Sequence, residues 1–515
     1  MTTQPSSPAG SVPPRPSPAR GGPRAILATL LLAASLTAFS LAGEAEDRLW
    51  ARVVPGSAIS SGAPALPGVE IVLPLKAGYL ARVTAAALPS LAGAGFTAEV
   101  LERDRAGSRP VLVYRDRPGP RALPRLGDLH PLEEGTFFLL APAGVSIREA
   151  LPPQDRFAPL RALSGAEHDA PVENAPAGDP LHPLVAPMVS RVATADLVAW
   201  VQALQDFGTR ECITPQCELA AVYLLGELGR FNLMSHLEAF TIEDNGAYPV
   251  HNVIGVVPGV VSPSRQVVIC GHFDDYTGGP VAPGADDNAS GTAGVLEMAK
   301  IFSDYDFECT LVFACFTGEE YGLLGSEDYA AKARSANQDI KAVLNMDMIA
   351  YNSGPPNYVD FYVNTASSWI GQRMLEIGPL FNSPDVVTFS NFNRPTMRGS
   401  DHASFWDQGY PAVCVIEDLH DFHPDYHTVG DTLDKLNLPY FTGIVKTVTA
   451  MAADTARPVG LNGDLDASGA VTDADAADGA SALAGNRTVG PRDDVKRDGA
   501  VNILDLMRIR RLATP

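Results

Sequence analysis

Basic side chains are scarce in this chain of 515 residues: 38 Lys and Arg stand against 60 Asp and Glu, a formal net charge of -22. A nucleic-acid partner needs lysines and arginines to displace the counterions of its phosphates, so that class is excluded. The surplus carboxylates suit a solvated acidic surface and sites for divalent cations. Closely paired cysteines are scarce as well. None of the six cysteines stands in a CxxC pair, so nothing suggests a thiolate zinc site. Cys212 and Cys217 enclose the polar turn Ile213-Thr214-Pro215-Gln216 and are expected to form a local disulfide, whereas Cys270, Cys309, Cys315 and Cys414 fall in apolar runs and read as small core residues.

Long hydrophobic runs are equally rare. The one stretch of near-spanning length is 25–42, 18 uncharged residues rich in Leu and Ala. Arg15, Arg20 and Arg24 precede it with no acidic residue among them, and small residues close it. Residues 1–45 therefore read as an export signal cleaved near Ala42 or Ala45, with an uncleaved anchor as the alternative and no other membrane segment.

What remains is long enough for several domains, and 46% apolar residues allow a large core. Residues 46–180 read as a small α+β region, with strands near 69–74, 97–101, 111–114 and 137–141 and a helix over 80–91. This region carries no cluster of ligand-type residues, and its position suggests a propeptide; a structural or binding domain is the alternative. The stretch 150–188, rich in Pro, Ala and acidic residues, reads as a linker. Residues 189–456 open with helical patterns at 194–207 and 215–228. Apolar runs then alternate with helical segments, which predicts an α/β fold with a mostly parallel mixed sheet flanked by helices.

Chemistry-bearing residues follow those apolar runs. Gly271-His272 comes directly after Gln266-Val267-Val268-Ile269-Cys270, Glu320 after the run 310–316, and Asp347 after the run 340–344. Asp287 sits in the turn Gly284-Ala285-Asp286-Asp287-Asn288-Ala289-Ser290-Gly291, and His427 comes last. In open α/β sheets, sites form at the carboxyl ends of strands. Two imidazoles and three carboxylates suit a borderline cation such as Zn²⁺. If one carboxylate bridges two metals, each keeps one His, one terminal carboxylate and room for a water made acidic at neutral pH. Glu319 is the general-base candidate, and Asp274 is placed to accept the second ring N–H of His272. Asp275 and Asp286 read as turn residues.

Across about 190–455, these motifs resemble the co-catalytic zinc exopeptidases of the bacterial leucyl aminopeptidase type. The matching stretches are His272-x-Asp274, 284–291, Phe316-Thr317-Gly318-Glu319-Glu320, Asn345-Met346-Asp347-Met348, Ser400-Asp401-His402-Ala403-Ser404-Phe405 and Tyr426-His427-Thr428. The resemblance implies that His272, Glu320, Asp347 and His427 are terminal ligands of two zinc ions. It implies that Asp287 bridges them, often through a cis peptide, and that Glu319 is the base acting on peptide substrates. Tyr426 resembles a tyrosine that stabilises the tetrahedral intermediate, with Arg398 as a weaker analogue. His420 and His423 are then surface histidines, and His402 packs near the site. Carboxypeptidase, glutaminyl-cyclase and catalytically inactive relatives are the alternatives.

Residues 461–513 carry two loops of calcium-binding pattern. Asp464, Asp466, Ser468 and Asp475 supply oxygens in the first, with Gly469 at the turn position. Asp494, Asp498 and Asp505 do so in the second, where Lys496 replaces a donor. The pair resembles a small helical dockerin-type domain, which implies Ca²⁺ and a cohesin-like or surface-scaffold partner.

Overall fold

A strand that is apolar on both faces has to lie between two covering layers. The run 266–270 does so in the computed structural model, which describes residues 48–513 apart from 57–63, 65, 76, 106, 116–121, 134, 161–179, 245, 393–396 and 498–499. The segment 1–45 and Asp498 lie outside the described residues.

Eight strands form the central sheet, in the order Met234–Glu243, Ala247–Val257, Cys309–Phe316, Ser262–His272, Asp339–Met346, Ala412–Glu417, Tyr358–Val363 and Thr388–Phe392. The inner four, from Cys309–Phe316 to Ala412–Glu417, run parallel; the first two strands form an antiparallel hairpin on one edge. The expected mixed, mostly parallel sheet is therefore present. Side chains alternate between two cores. Val267, Ile269, Leu311, Phe313 and Cys315 join one core with helices Thr194–Gln205, Pro215–Arg230, Gly291–Phe302 and Leu438–Ala456. Val268, Cys270, Val312, Ala314 and Phe316 point into the other, with Tyr329, Phe405 and Trp406.

That second core extends into the N-terminal unit. The unit is two four-stranded sheets: Val69–Leu75, Gly78–Thr84, Arg48–Pro55 and Phe96–Arg103 in one, and Arg156–Pro159, Arg109–Tyr114, Thr136–Ala141 and His130–Glu133 in the other. Trp50, Leu80, Leu112, Tyr114 and Phe138 pack in the same apolar cluster as Phe316 and Trp406. Two expectations change here. Residues 78–84 are a strand, not the start of a helix, because antiparallel neighbours on both sides satisfy their backbone groups; helix propensity is too weak to resist such pairing. Arg156–Pro159, within the stretch read as linker, pairs with Arg109–Tyr114.

The expected disulfide is also absent. Cys212 and Cys217 are buried free thiols, and the Cys217 thiol lies 3.2 Å from the Thr317 hydroxyl in the first turn of helix Pro215–Arg230.

At the other end, Pro458–Leu461 pairs with Tyr305–Phe307, and helices Asp473–Leu483 and Ile503–Ala513 follow the two acidic loops. Arg497 donates to the carbonyls of Ser303 (2.9 Å) and Tyr305 (2.6 Å), and Arg492 pairs with buried Asp306 at 3.0 Å. Asp306→Ala removes the carboxylate that faces both guanidinium groups. It should cost on the order of 3 kcal/mol, seen as a lower unfolding midpoint and faster tryptic cleavage beyond residue 457.

Candidate metal centre

Strand register sets the first coordinates of the site. His272 pairs across to Phe316, and Cys270 to Asn345, so three strands end level and release His272, the 317–320 turn and Asp347 at one edge. The turn Ala285–Ser290 enters beside them, its Asp287–Asn288 peptide cis. Gly284 starts it at φ 49, where a Cβ would lie 2.5 Å from the Asp287 carbonyl. Asp431 accepts the N–H groups of Asp286 (2.8 Å) and Asp287 (3.0 Å). The Asn288 amide donates to the Met346 carbonyl at 2.9 Å and accepts from Gly291 N–H at 2.8 Å, tying the turn to the strand that carries Asp347.

This backbone directs the two oxygens of Asp287 to different imidazoles. Oδ1 lies 3.3 Å from His272 Nε2, and Oδ2 lies 3.0 Å from His427 Nε2. His272 Nε2 is also 3.3 Å from Asp347 Oδ1, and His427 Nε2 is 2.8 Å from Glu320 Oε2. Donors on a tetrahedral ion with bonds of about 2.0 Å stand about 3.3 Å apart, so two His–carboxylate pairs sharing Asp287 fit two such ions. Glu319 Oε2 stands 4.0 Å from His272 Nε2.

All five residues are buried, and their charges answer one another. Burial alone would lower His272, but Glu319 and Asp347 outweigh it and hold its pKa well above the usual imidazole range. His427 is lifted against burial to about 9, chiefly by Glu320 and Asp287. Burial would raise Asp287, yet the two imidazoles pull it far below the carboxylate range. Burial pushes Glu320 up to about 7 and Glu319 well above its ordinary value. Cations bound here would replace the protons held by the imidazoles, so the donor set fits metal in its chemistry as well as in its spacing.

Residues 252–452 match the model of peptidase family M28. This segment is similar to that family. The chain is accordingly a metallopeptidase. A probable zinc metalloprotease of Leptosphaeria maculans is 27% identical over 324 residues, covering 50% of this chain and 73% of its own. A probable leucine aminopeptidase of Arthroderma otae is 26% identical over 286 residues, covering 53% and 75%. In fold, the chain resembles LapB of Legionella pneumophila, with a TM-score of 0.52 at 18% identity over 68% of this chain and 100% of that one.

Around the site, some residues stand differently from expectation. The Nδ1 of His272 is 3.2 Å from the Asp274 carbonyl and 3.6 Å from its carboxylate. That carboxylate accepts the N–H groups of Glu319 and Glu320, both at 3.3 Å, and so holds the turn that carries these two side chains. Tyr426 stacks on His427, centroids 3.8 Å apart. Arg398 turns to Asp407 and the Ala403 carbonyl instead of the site. His402 donates to the Met397 carbonyl at 2.8 Å, and His420 is exposed. His423 is buried, not on the surface, and lies 3.8 Å from Asp431.

Sequence reading missed three residues. Asp431 is one. Arg210, fully buried, donates to the carbonyls of Leu204, Phe273, Pro283 and Gly284 and pairs with Asp275 at 3.0 Å. Asp401 is buried beside the cluster, and burial pushes it to about 7. The repeated Asp-Asp and Ser-Asp-His strings signalled only Asp401.

In the C-terminal loops, Asp464, Asp466 and Asp475 bring ligand atoms within 4.8 Å of one another. Ser468 N–H donates to Asp464 at 2.9 Å. Asp475 accepts from Asp466 and Thr472 N–H groups, as Asp505 does from the equivalent Lys496 and Asn502; Asp494 opens that second loop.

Asp431→Ala should leave two buried N–H groups without acceptors, about 1–3 kcal/mol each. The expected outcome is faster metal loss to a chelator, followed by elemental analysis after timed dialysis.

Proposed function

We propose that the chain is an exported aminopeptidase that holds two zinc ions between His272, Asp287, Glu320, Asp347 and His427 and removes N-terminal residues from peptides. The observation that carries this reading is Asp287, shared between two His–carboxylate sets with Glu319 alongside. Zinc held there would acidify a water and polarise the scissile carbonyl. Glu319 takes the proton of the attacking water and passes it to the leaving amine; burial strengthens it as a base. Asp274 fixes Glu319 through its backbone N–H, and Tyr426, packed on His427, lines the site as a stabiliser of the reacting carbonyl oxygen.

Charge supports the amino terminus over the carboxyl terminus as the group recognised. Asp274, Asp287, Glu319, Glu320, Asp347 and Asp401 converge on the site while Arg398 turns to Asp407, a field that favours an α-ammonium over a carboxylate. The name of the Arthroderma otae relative points the same way.

For residues 461–513 we propose a calcium-stabilised attachment module of dockerin type with a cohesin-like or surface-scaffold partner. Its support is the repeated loop geometry around Asp475 and Asp505.

Three measurements test these readings. Elemental analysis should find two zinc ions per chain; one tightly held ion selects the glutaminyl-cyclase alternative. Glu319→Gln should keep its metal and lose ~10²–10⁴-fold in turnover; near wild-type turnover removes Glu319 as the base, and release of C-terminal residues from N-blocked peptides selects a carboxypeptidase. Calcium added to the full chain should raise its melting temperature by linkage, and Asp464→Asn should abolish that rise; melting indifferent to calcium contradicts the module.

A further inference from the structure

An imidazole that ligates a metal through one nitrogen uses the other to fix its orientation. At His427, Nε2 faces Asp287 and Glu320, while Nδ1 meets the backbone carbonyl of Pro153. A carbonyl only accepts, so Nδ1 carries the proton and the Nε2 lone pair is left for a cation. His427 has φ 55, a left-handed conformation that a residue other than glycine adopts only when its surroundings impose it. The partner carbonyl does not belong to the peptidase domain. It comes from the N-terminal unit, 274 residues away in sequence.

That carbonyl is itself held. Arg148, 2% exposed, donates to the carbonyls of Pro152 (2.9 Å) and Pro153 (3.3 Å). Its guanidinium lies 4.5 Å over the ring of Tyr276, which stands edge-on to the His427 ring at 5.8 Å. Two consecutive prolines limit the φ freedom of the turn. Two residues beyond the turn, buried Asp155 pairs with Arg115, which follows strand Arg109–Tyr114. Before it, the Ser146 hydroxyl donates to Asp244 at 2.6 Å, in the hairpin at the sheet edge. Phe157 then packs against Gly322, where a Cβ would come within 2.9 Å of its ring.

We propose that the Pro152–Pro153 turn, gripped by Arg148, is a positioning strut for the metal ligand His427, and that the N-terminal unit is a working part of the mature metal centre, not a segment discarded before catalysis. The inference rests on reading His427 as a ligand. Discarding the unit would take away the acceptor of the Nδ1 proton and the cation stacked on Tyr276. It would also open the apolar cluster that Trp50, Leu80 and Phe138 share with Phe316 and Trp406.

The test uses the full chain with Arg148→Ala, Arg148→Lys and Pro153→Gly. Zinc affinity is measured by chelator competition, and the absorption spectrum is recorded with cobalt(II) in place of zinc. Arg148→Ala and Pro153→Gly should weaken one of the two metals about 10–100-fold, the usual effect of losing an outer hydrogen-bond partner. The cobalt bands of that site alone should shift, kcat should fall more than KM changes, and Arg148→Lys should recover part of the affinity. If Arg148→Ala does not fold, Pro153→Gly decides, since it leaves no charge unpaired. A folded variant with wild-type affinity and an unchanged cobalt spectrum overturns the strut. Wild-type protein that binds no metal overturns the zinc reading and the strut with it, whereas two ions held equally by wild type and variants overturn the strut alone.

Discussion

One carboxylate in this protein has to face two imidazoles at once, and the geometry around it follows from that demand. For the oxygens of Asp287 to reach His272 and His427 separately, its backbone leaves helical geometry inside the turn, with φ -103 and ψ 95. Such a turn has N–H groups and carbonyls that no helix or strand pairs, and buried polar groups need partners. Asp431 takes two of the N–H groups, Asn288 ties the turn to the strand carrying Asp347, and Arg210 collects the carbonyls of Pro283 and Gly284. The parallel sheet supplies the fixed edge on which this assembly can be built.

Burying so many ionisable groups together is unfavourable unless opposite charges are present. The protein places its carboxylates around the imidazoles, and the cluster is arranged so that cations can take the place of protons there. Similar reasoning explains why the surrounding cover is thick. The N-terminal unit closes one face through a shared apolar core, the helices around Leu438–Ala456 close the other, and His272, Asp287, Glu320, Asp347 and His427 are each at most 5% exposed.

Much of this was legible in sequence for a local reason. His272, Glu320 and Asp347 each stand within a few residues of the end of an apolar strand, so position along the chain reports position in the sheet. The fold followed from the same alternation of runs. Residues 78–84 failed because their partners, 48–55 and 69–75, decide strand over helix, and pairing is not written in a seven-residue window. Asp431, Arg210 and Pro153 were invisible for a related reason. Each acts through a backbone atom, or on one, at long sequence separation, and a backbone carbonyl leaves no signature in residue identity. Asp274 shows the intermediate case: its motif marked it, but backbone geometry gave its carbonyl the task expected of its carboxylate.

The scarcity of basic residues gains a structural meaning when the buried ones are compared. Arg148, Arg210 and Arg497 are nearly inaccessible, and each directs its guanidinium mainly to backbone carbonyls: Pro152 and Pro153; Leu204, Phe273, Pro283 and Gly284; Ser303 and Tyr305. A guanidinium offers five donors in a planar fork, whereas an ammonium offers three on a compact point charge. Where separate chain segments converge, carbonyls are left outside any ladder, and a planar group with several donors can serve more than one of them. The three arginines sit at three such convergences: the N-terminal unit against His427, the turn that carries Asp287 against the strand-end loop, and the C-terminal unit against 303–306. Lysine at any of the three would keep the charge and lose the fork, so these positions tie chain segments together through donor geometry more than through net charge.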